Sequence, residues 1–309
     1  MPVSSDAYPK NILVKLKNKS TELTEVTVEP VLKNGWERWG TTFLSNFIGS
    51  TPNAAQCKIK NYKVLKFWFS EKQNRLSVRA DEPLIIENKA LGYTIKYKLE
   101  KFSSDFSSGM LLFLGYPFFE EMITKRSRQK KQWALNRQNA FEGSVMHFMR
   151  SLYSGKLNET GFQVIVSVKT PNREKQRVKQ IRLIDSSFTD GGTSTALIRR
   201  RDSLGYYERI LKQPDFFESF HSIEQMDSLL RITETESKLF FFHGKLHILF
   251  QAVKTSPLDQ SEIYLATPEA IRIDLNGSFF PPQEMVTSGH WGAYEKIANA
   301  LPLDYRQAN

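Results

Sequence analysis

The chain has one cysteine, Cys57, among 309 residues. A single thiol excludes an internal disulfide framework and a cysteine-based zinc site. In NAAQCKIKN it has no flanking motif, so it reads as a small buried hydrophobe rather than a reactive thiol. Its solitude does not fix the compartment, because large domains do without disulfides in either redox environment. Histidine is also scarce, with five in the chain. No stretch approaches the roughly eighteen apolar residues that a membrane helix needs. The opening MPVSSDAYPKNILVKLKNKS has no continuous apolar core, so no export signal is visible, and both a cytoplasmic protein and a trimmed export sequence fit. No repeat of fixed period is present. Ser144 stands in Glu-Gly-Ser-Val-Met, which is not a Gly-x-Ser-x-Gly elbow and does not follow a strand. No phosphate-binding glycine loop and no nucleophile–base–orienter set stands out, and no residue set asks for a cofactor.

Aromatics make up 12% of the chain and all apolar types 40%, enough for a packed globular core. The net charge is +10. Such a balance attracts anions: nucleic acid, a phospholipid or lipopolysaccharide surface, or an acidic protein.

Periodicity supplies the secondary structure. In LGYTIKYKLEK the apolar residues Leu91, Tyr93, Ile95, Tyr97 and Leu99 fall on alternate positions, which marks a half-buried strand with Lys96 and Lys98 facing water. Residues 62–119 read as an antiparallel meander built from VLKFWFS, RLSVRA with its continuation PLIIEN, LGYTIKYKLEKF and GMLLFLGYPFF. ENKAL falls at a bend. Trp36, Trp39, Phe43, Leu44, Phe47 and Ile48 line one face of a helix that Gly49 ends. Phe141, Val145, Phe148, Met149 and Leu152 follow helical spacing, and Gly143 interrupts it, which predicts either a kink or two helices meeting there, with Ser144 as an N-cap. GFQVIVSV is a strand, and PNREKQRVKQIRLID is a charged strand or loop. Residues 10–30 carry one or two edge strands, and Gly191–Gly192 sits in a long loop. YYERILKQPDFFESFHSIEQMDSLL is expected to be helical on both sides of Pro214. KLFFFHGKLHILFQAV reads as a hairpin turning at His243–Gly244, and EIYLATPEAIRIDLNGSFF as a strand pair turning at Asn276–Gly277. WGAYEKIANALP is expected to close the chain as a short helix stopped by Pro302. The fold class is therefore α+β, an antiparallel meander packed against a few amphipathic helices.

Three groups of residues carry candidate chemistry. His221 and Glu224 have the HxxE spacing that lets two zinc ligands share a helix face, the basis of a metal-dependent hydrolase reading; Ser222 with Gln225 equally suits a capping box. His243 and His247 have HxxxH spacing, but they straddle a turn. Lys125, Arg126, Arg128, Lys130 and Lys131 form the densest basic run, with Trp133 close behind. It is either an anion-binding patch with Trp133 as an interface anchor, or the solvated start of a helix with Trp133 in the core. Net charge alone also admits a nucleic-acid binder, though no recognisable nucleic-acid motif accompanies it.

Several segments together resemble one family. They are ELTEVTV, FLSNFIGSTPNAAQCKI, ADEPLIIENKALGYTIKY, GYPFFEEM, FEGSVMHFMRSLY and HWGAYEKIANALPLDY. The combination resembles the carboxypeptidase-regulatory-like-domain proteins of Bacteroidetes-type cell envelopes, over most of residues 20–160 and the C-terminal end. The resemblance implies a signal peptide, a small β-sandwich and then a larger domain. Here the signal and sandwich are missing except for its final strand, so residues 1–31 are expected to be a remnant of that module and 32–309 the α+β main domain. It implies no peptidase activity and no catalytic residues. It implies a location in the periplasm or on the periplasmic face of the outer membrane; together with the net charge of +10 and the basic run, the expectation is a non-enzymatic role in binding an acidic protein or an outer-membrane-associated complex.

Overall fold

The computed structural model describes residues 30–185, 205–222, 230–232, 237–250 and 260–307. The strands expected within 10–30, the loop around Gly191–Gly192 and Glu224 lie outside the described residues. The described chain is α+β, as its periodicity predicts.

Helix α1 (Gly35–Phe47) buries the expected aromatic face, with Phe43 and Phe47 fully enclosed. Six strands follow: β1 (Cys57–Ile59), β2 (Leu65–Ser70), β3 (Arg75–Ala80), β4 (Leu84–Asn88), β5 (Tyr93–Asp105) and β6 (Leu111–Glu121). Their registers join them into longer tracks. β1 faces β4 with Cys57 opposite Asn88, and β2 faces β3 with Leu65 opposite Ala80. β3 and β4 both run along one edge of β5, with Val78 opposite Phe102 and Leu84 opposite Tyr97, while β6 covers the other edge. The sheet is thus a meander of broken strands in chain order, with a bulge at Glu100 between Leu99 and Lys101. Tyr93, Ile95, Tyr97 and Leu99 are buried and Lys96, Lys98 and Glu100 exposed, so the register predicted from alternation holds.

Helices α2 (Ser127–Phe141) and α3 (Val145–Tyr153) meet at Gly143. Ser144 Oγ accepts the His147 N–H at 3.0 Å, so the expected N-cap is in place. The apolar face of α3 seeds a second core. Strand β7 (Phe162–Pro171) crosses it and is followed by helix α4 (Arg173–Asp185), where a charged strand or loop was expected. Asn172 Oδ1 caps α4 by accepting the Lys175 N–H at 2.9 Å. Few apolar residues interrupt its charges, so the hydrophobic period is nearly silent. Its Val178 is nevertheless fully buried.

Helix α5 (205–212) precedes Pro214, but strand β8 (Phe216–Ser222) follows it where a helix was expected; 223–229 lie outside the described residues. β8 pairs with β7 from Phe216 opposite Pro171 to Ser222 opposite Ile165. It is an edge strand with exposed phenylalanines, Phe216 and Phe220 among them, which hides its alternation. The remaining strands are β9 (Leu230–Ile232), β10 (Lys238–Phe240), β11 (Lys245–Phe250), β12 (Ser261–Leu265), β13 (Ile271–Ile273), β14 (Phe279–Phe280) and β15 (Met285–Gly289), before α6 (His290–Tyr294). They divide between a five-stranded sheet ordered β15-β12-β11-β7-β8 and a four-stranded sheet ordered β14-β13-β10-β9. The bend at His243–Gly244 therefore passes from one sheet to the other and closes no hairpin. Gly244 suits the passage because a Cβ there would lie 2.2 Å from the Ser167 carbonyl oxygen. The turn at Asn276–Gly277 does join a pair, β13 to β14, whereas EIYL belongs to β12 in the other sheet. After α6 a short 3-10 turn, Ile297–Asn299, leads to Pro302 in place of one continuous helix.

Candidate functional site

The bend between β4 and β5 is a socket for α2. Asn88 is fully buried; its Oδ1 accepts the Leu91 N–H at 3.0 Å and its Nδ2 donates to the Ala298 carbonyl at 2.9 Å. The next carbonyls all accept side chains from α2. Trp133 Nε1 donates to Lys89 O at 2.9 Å, Asn136 Nδ2 to Ala90 O at 2.7 Å and Arg137 Nε to Leu91 O at 2.7 Å. Arg137 Nη2 reaches Gly92 O at 3.3 Å, its guanidinium lies 3.9 Å over the Tyr93 ring, and Nη1 pairs with Glu121 at 2.7 Å. A tight turn exposes carbonyls that need partners, and this helix supplies them. Trp133 is therefore only 7% exposed. The reading of Trp133 as an interface anchor gives way to the core reading, because Gly92 leaves a space that its ring fills.

Clamping the second half of α2 leaves its first half standing in solvent. Lys125, Arg126, Arg128, Lys130 and Lys131 are all exposed. Among the described residues none of these five is in an ion pair, whereas Lys60, Lys66, Lys96 and Lys98 on the meander each have a carboxylate partner within 3.3 Å. The position aggravates the charge. The start of a helix is the positive end of its dipole, yet the first turn of α2 holds no acidic residue. Ile123, two residues before the run, is 99% exposed, and Leu135 within α2 is half-exposed.

The histidines of the two candidate motifs stand on strands or at a bend among the described residues. His221 is exposed on β8, where its Nε2 sits 3.2 Å from Ser219 Oγ. His221 thus stands on a strand where the HxxE reading requires a helix, and Glu224 lies outside the described residues. Among the described residues, no group of three or more His, Cys, Asp or Glu side chains could hold a metal ion. Burial pushes the Cys57 thiol up to about 12, which keeps it protonated and unreactive.

One polar set was invisible in the sequence. His247 on β11 places Nε2 3.0 Å from Ser167 Oγ on β7 and Nδ1 3.3 Å from Glu262 Oε1 on β12. The order Ser–His–Glu resembles a catalytic triad, but its serine is shut away from substrate. Gln260 Nε2 also lies 2.9 Å from Nδ1, beside the Glu262 carboxylate. Ser167 is only 2% exposed, so its hydroxyl sits inside the sheet packing and not at a surface. Burial pushes the Glu262 carboxyl up, but Lys245 Nζ and Ser288 Oγ, both at 2.9 Å, outweigh it and hold it below its ordinary value. Cross-strand register brings these residues together, and no local motif encodes register.

A second carboxyl, half-buried beside the start of α3, has a measurable signature. Glu295 Oε1 accepts the Val145 N–H at 2.9 Å, helping to cap α3. Burial pushes Glu295 up to about 7 from an ordinary 4.5, against the opposing pull of the Val145 N–H and Lys296. A carboxyl raised on folding favours the native state fully below its unfolded value, and that benefit is lost as pH rises through its folded value. The full shift corresponds to up to about 3 kcal/mol. The Glu295→Gln variant keeps an acceptor for Val145 and removes the titration. Urea melts are expected to show Gln gaining on wild type between pH 5 and pH 8. An equal difference at both values would refute a Glu295 that titrates in this range.

Comparison with protein-family models, curated protein sequences and solved structures returned no match to this chain.

Proposed function

We propose that this protein works by binding, without catalysis, and that the start of α2 is its contact with an anionic partner. The observation that carries the reading is the group of five exposed cations without ion pairs among the described residues, gathered at the helix end where positive charge is least favourable. Bringing an external anion there relieves that repulsion. The net charge of +10 steers such a partner from a distance, chiefly by raising the association rate. The resemblance to envelope proteins supports a partner in the periplasm or at the periplasmic face of the outer membrane: an acidic protein or an outer-membrane-associated complex.

A pull-down from envelope extract tests the reading, with wild type set beside a Lys125→Glu, Arg128→Glu, Lys131→Glu variant at low and moderate salt. All three side chains are exposed, so the variant should melt at the wild-type temperature. It is expected to lose the partners that wild type retains at low salt, and wild type itself should release them as salt rises. Recovery of the same partners at the same salt would move the contact elsewhere.

A further inference from the structure

The nature of the anion follows from the apolar groups among the cations, on the reading that the protein binds through the start of α2. Ile123 at 99% exposure is the most exposed large apolar side chain among the described residues, and it stands two residues before the basic run. Within α2, Arg128, Lys131 and Leu135 follow helical spacing on one exposed face, and Leu135 is 51% exposed. An acidic protein surface would complement the cations and leave an aliphatic tip projecting beyond them without a match. An anionic lipid leaflet complements both. Its phosphates take the lysines and arginines, and its acyl boundary takes an aliphatic group that projects past them. The long stems of Lys and Arg let their heads stay at the phosphate level while apolar groups go deeper.

We propose that the start of α2 lies against an anionic bilayer leaflet, with Ile123 inserted at the acyl boundary and Lys125, Arg126, Arg128, Lys130 and Lys131 on the lipid phosphates. The contact is peripheral. Among the described residues no helix is long and apolar enough to cross a membrane.

The test is co-sedimentation of the full chain with two kinds of vesicle: phosphatidylcholine alone, and phosphatidylcholine with about a third phosphatidylglycerol. Wild type is expected to sediment with the anionic vesicles, to ignore the neutral ones, and to be released by salt. The Lys125→Glu, Arg128→Glu, Lys131→Glu variant is expected to lose nearly all of this binding. Ile123→Ser, which changes no charge, is expected to weaken it roughly tenfold. Matching thermal melts exclude unfolding as the cause. Wild type that ignores anionic vesicles, yet still captures an acidic protein from membrane-free extract through these cations, overturns the lipid proposal and spares the binding reading. Failure with both vesicles and proteins removes both. Wild-type vesicle binding by Ile123→Ser overturns insertion, and wild-type binding by the charge variant overturns this surface as the contact.

Discussion

Gly92→Ala is expected to destabilise the protein by about 3–5 kcal/mol, far more than a surface glycine substitution. Two costs add. Gly92 has φ +70, a left-handed conformation that costs an L-residue about 1–2 kcal/mol. An added Cβ would also lie 2.3 Å from Trp133 Cδ2 and 2.6 Å from Cε2 and Cε3. Neither side can retreat cheaply. The carbonyls of Lys89, Ala90, Leu91 and Gly92 are tied to α2, and moving the indole breaks its 2.9 Å bond to Lys89 O. Gly109 is the control, because it has nearly the same φ, +71, and nothing within 4 Å of where a Cβ would stand. Gly109→Ala should therefore cost only about 1–2 kcal/mol, the conformational part alone. Urea melts of both variants isolate the clash, and equal costs would mean that Trp133 does not fill the socket. The double variant Gly92→Ala, Trp133→Ala should cost at least about 1 kcal/mol less than the sum of its singles, since removing the ring removes the clash.

Trp291→Ala is expected to cost about 3–5 kcal/mol, the range for deleting a large buried aromatic. The side chain is 1% exposed and packs 5.3 Å from Phe148. Its Nε1 donates to Gly143 O at 2.7 Å, and its backbone N–H donates to Ser261 Oγ at 3.2 Å. One residue thus joins α6, the junction of α2 and α3, and β12. Trp291→Phe separates the two contributions. It retains most of the apolar volume but leaves the Gly143 carbonyl without its donor, an expected loss of about 1–3 kcal/mol. If alanine cost no more than phenylalanine in denaturant melts, the ring would contribute a hydrogen bond and no packing.

Both expectations concern places where the chain meets itself at long range, and such places were the least legible in the sequence. The strand at Tyr93–Leu99 was fully legible, because alternation is a local consequence of one wet face and one dry face. So was the break between α2 and α3, where Gly143 and Ser144 stop one helical period and start another. Helix α4 was not, since its apolar residues are few among many charges and leave almost no period to read. β8 was missed because an edge strand with exposed aromatics loses its alternation. The hairpin expected at His243–Gly244 failed for a different reason. Two neighbouring strands look alike whether they pair with each other or with separate sheets, and the partners lie far away in the chain.

The candidate site divides in the same way. The sequence by itself determined that five cations cluster at Lys125–Lys131 and that a bend falls at Glu87–Tyr93. Only the tertiary structure decided that the bend is consumed internally, that Trp133 is its plug, and that the cations stand beside an exposed Ile123 with no ion pair among the described residues. The physical reason is that composition and period report what each residue tends to do, whereas pairing depends on which other residue arrives. Lys96 meets Glu120 at 2.6 Å across two strands, yet no carboxylate among the described residues reaches Lys125, and nothing local distinguishes the two lysines.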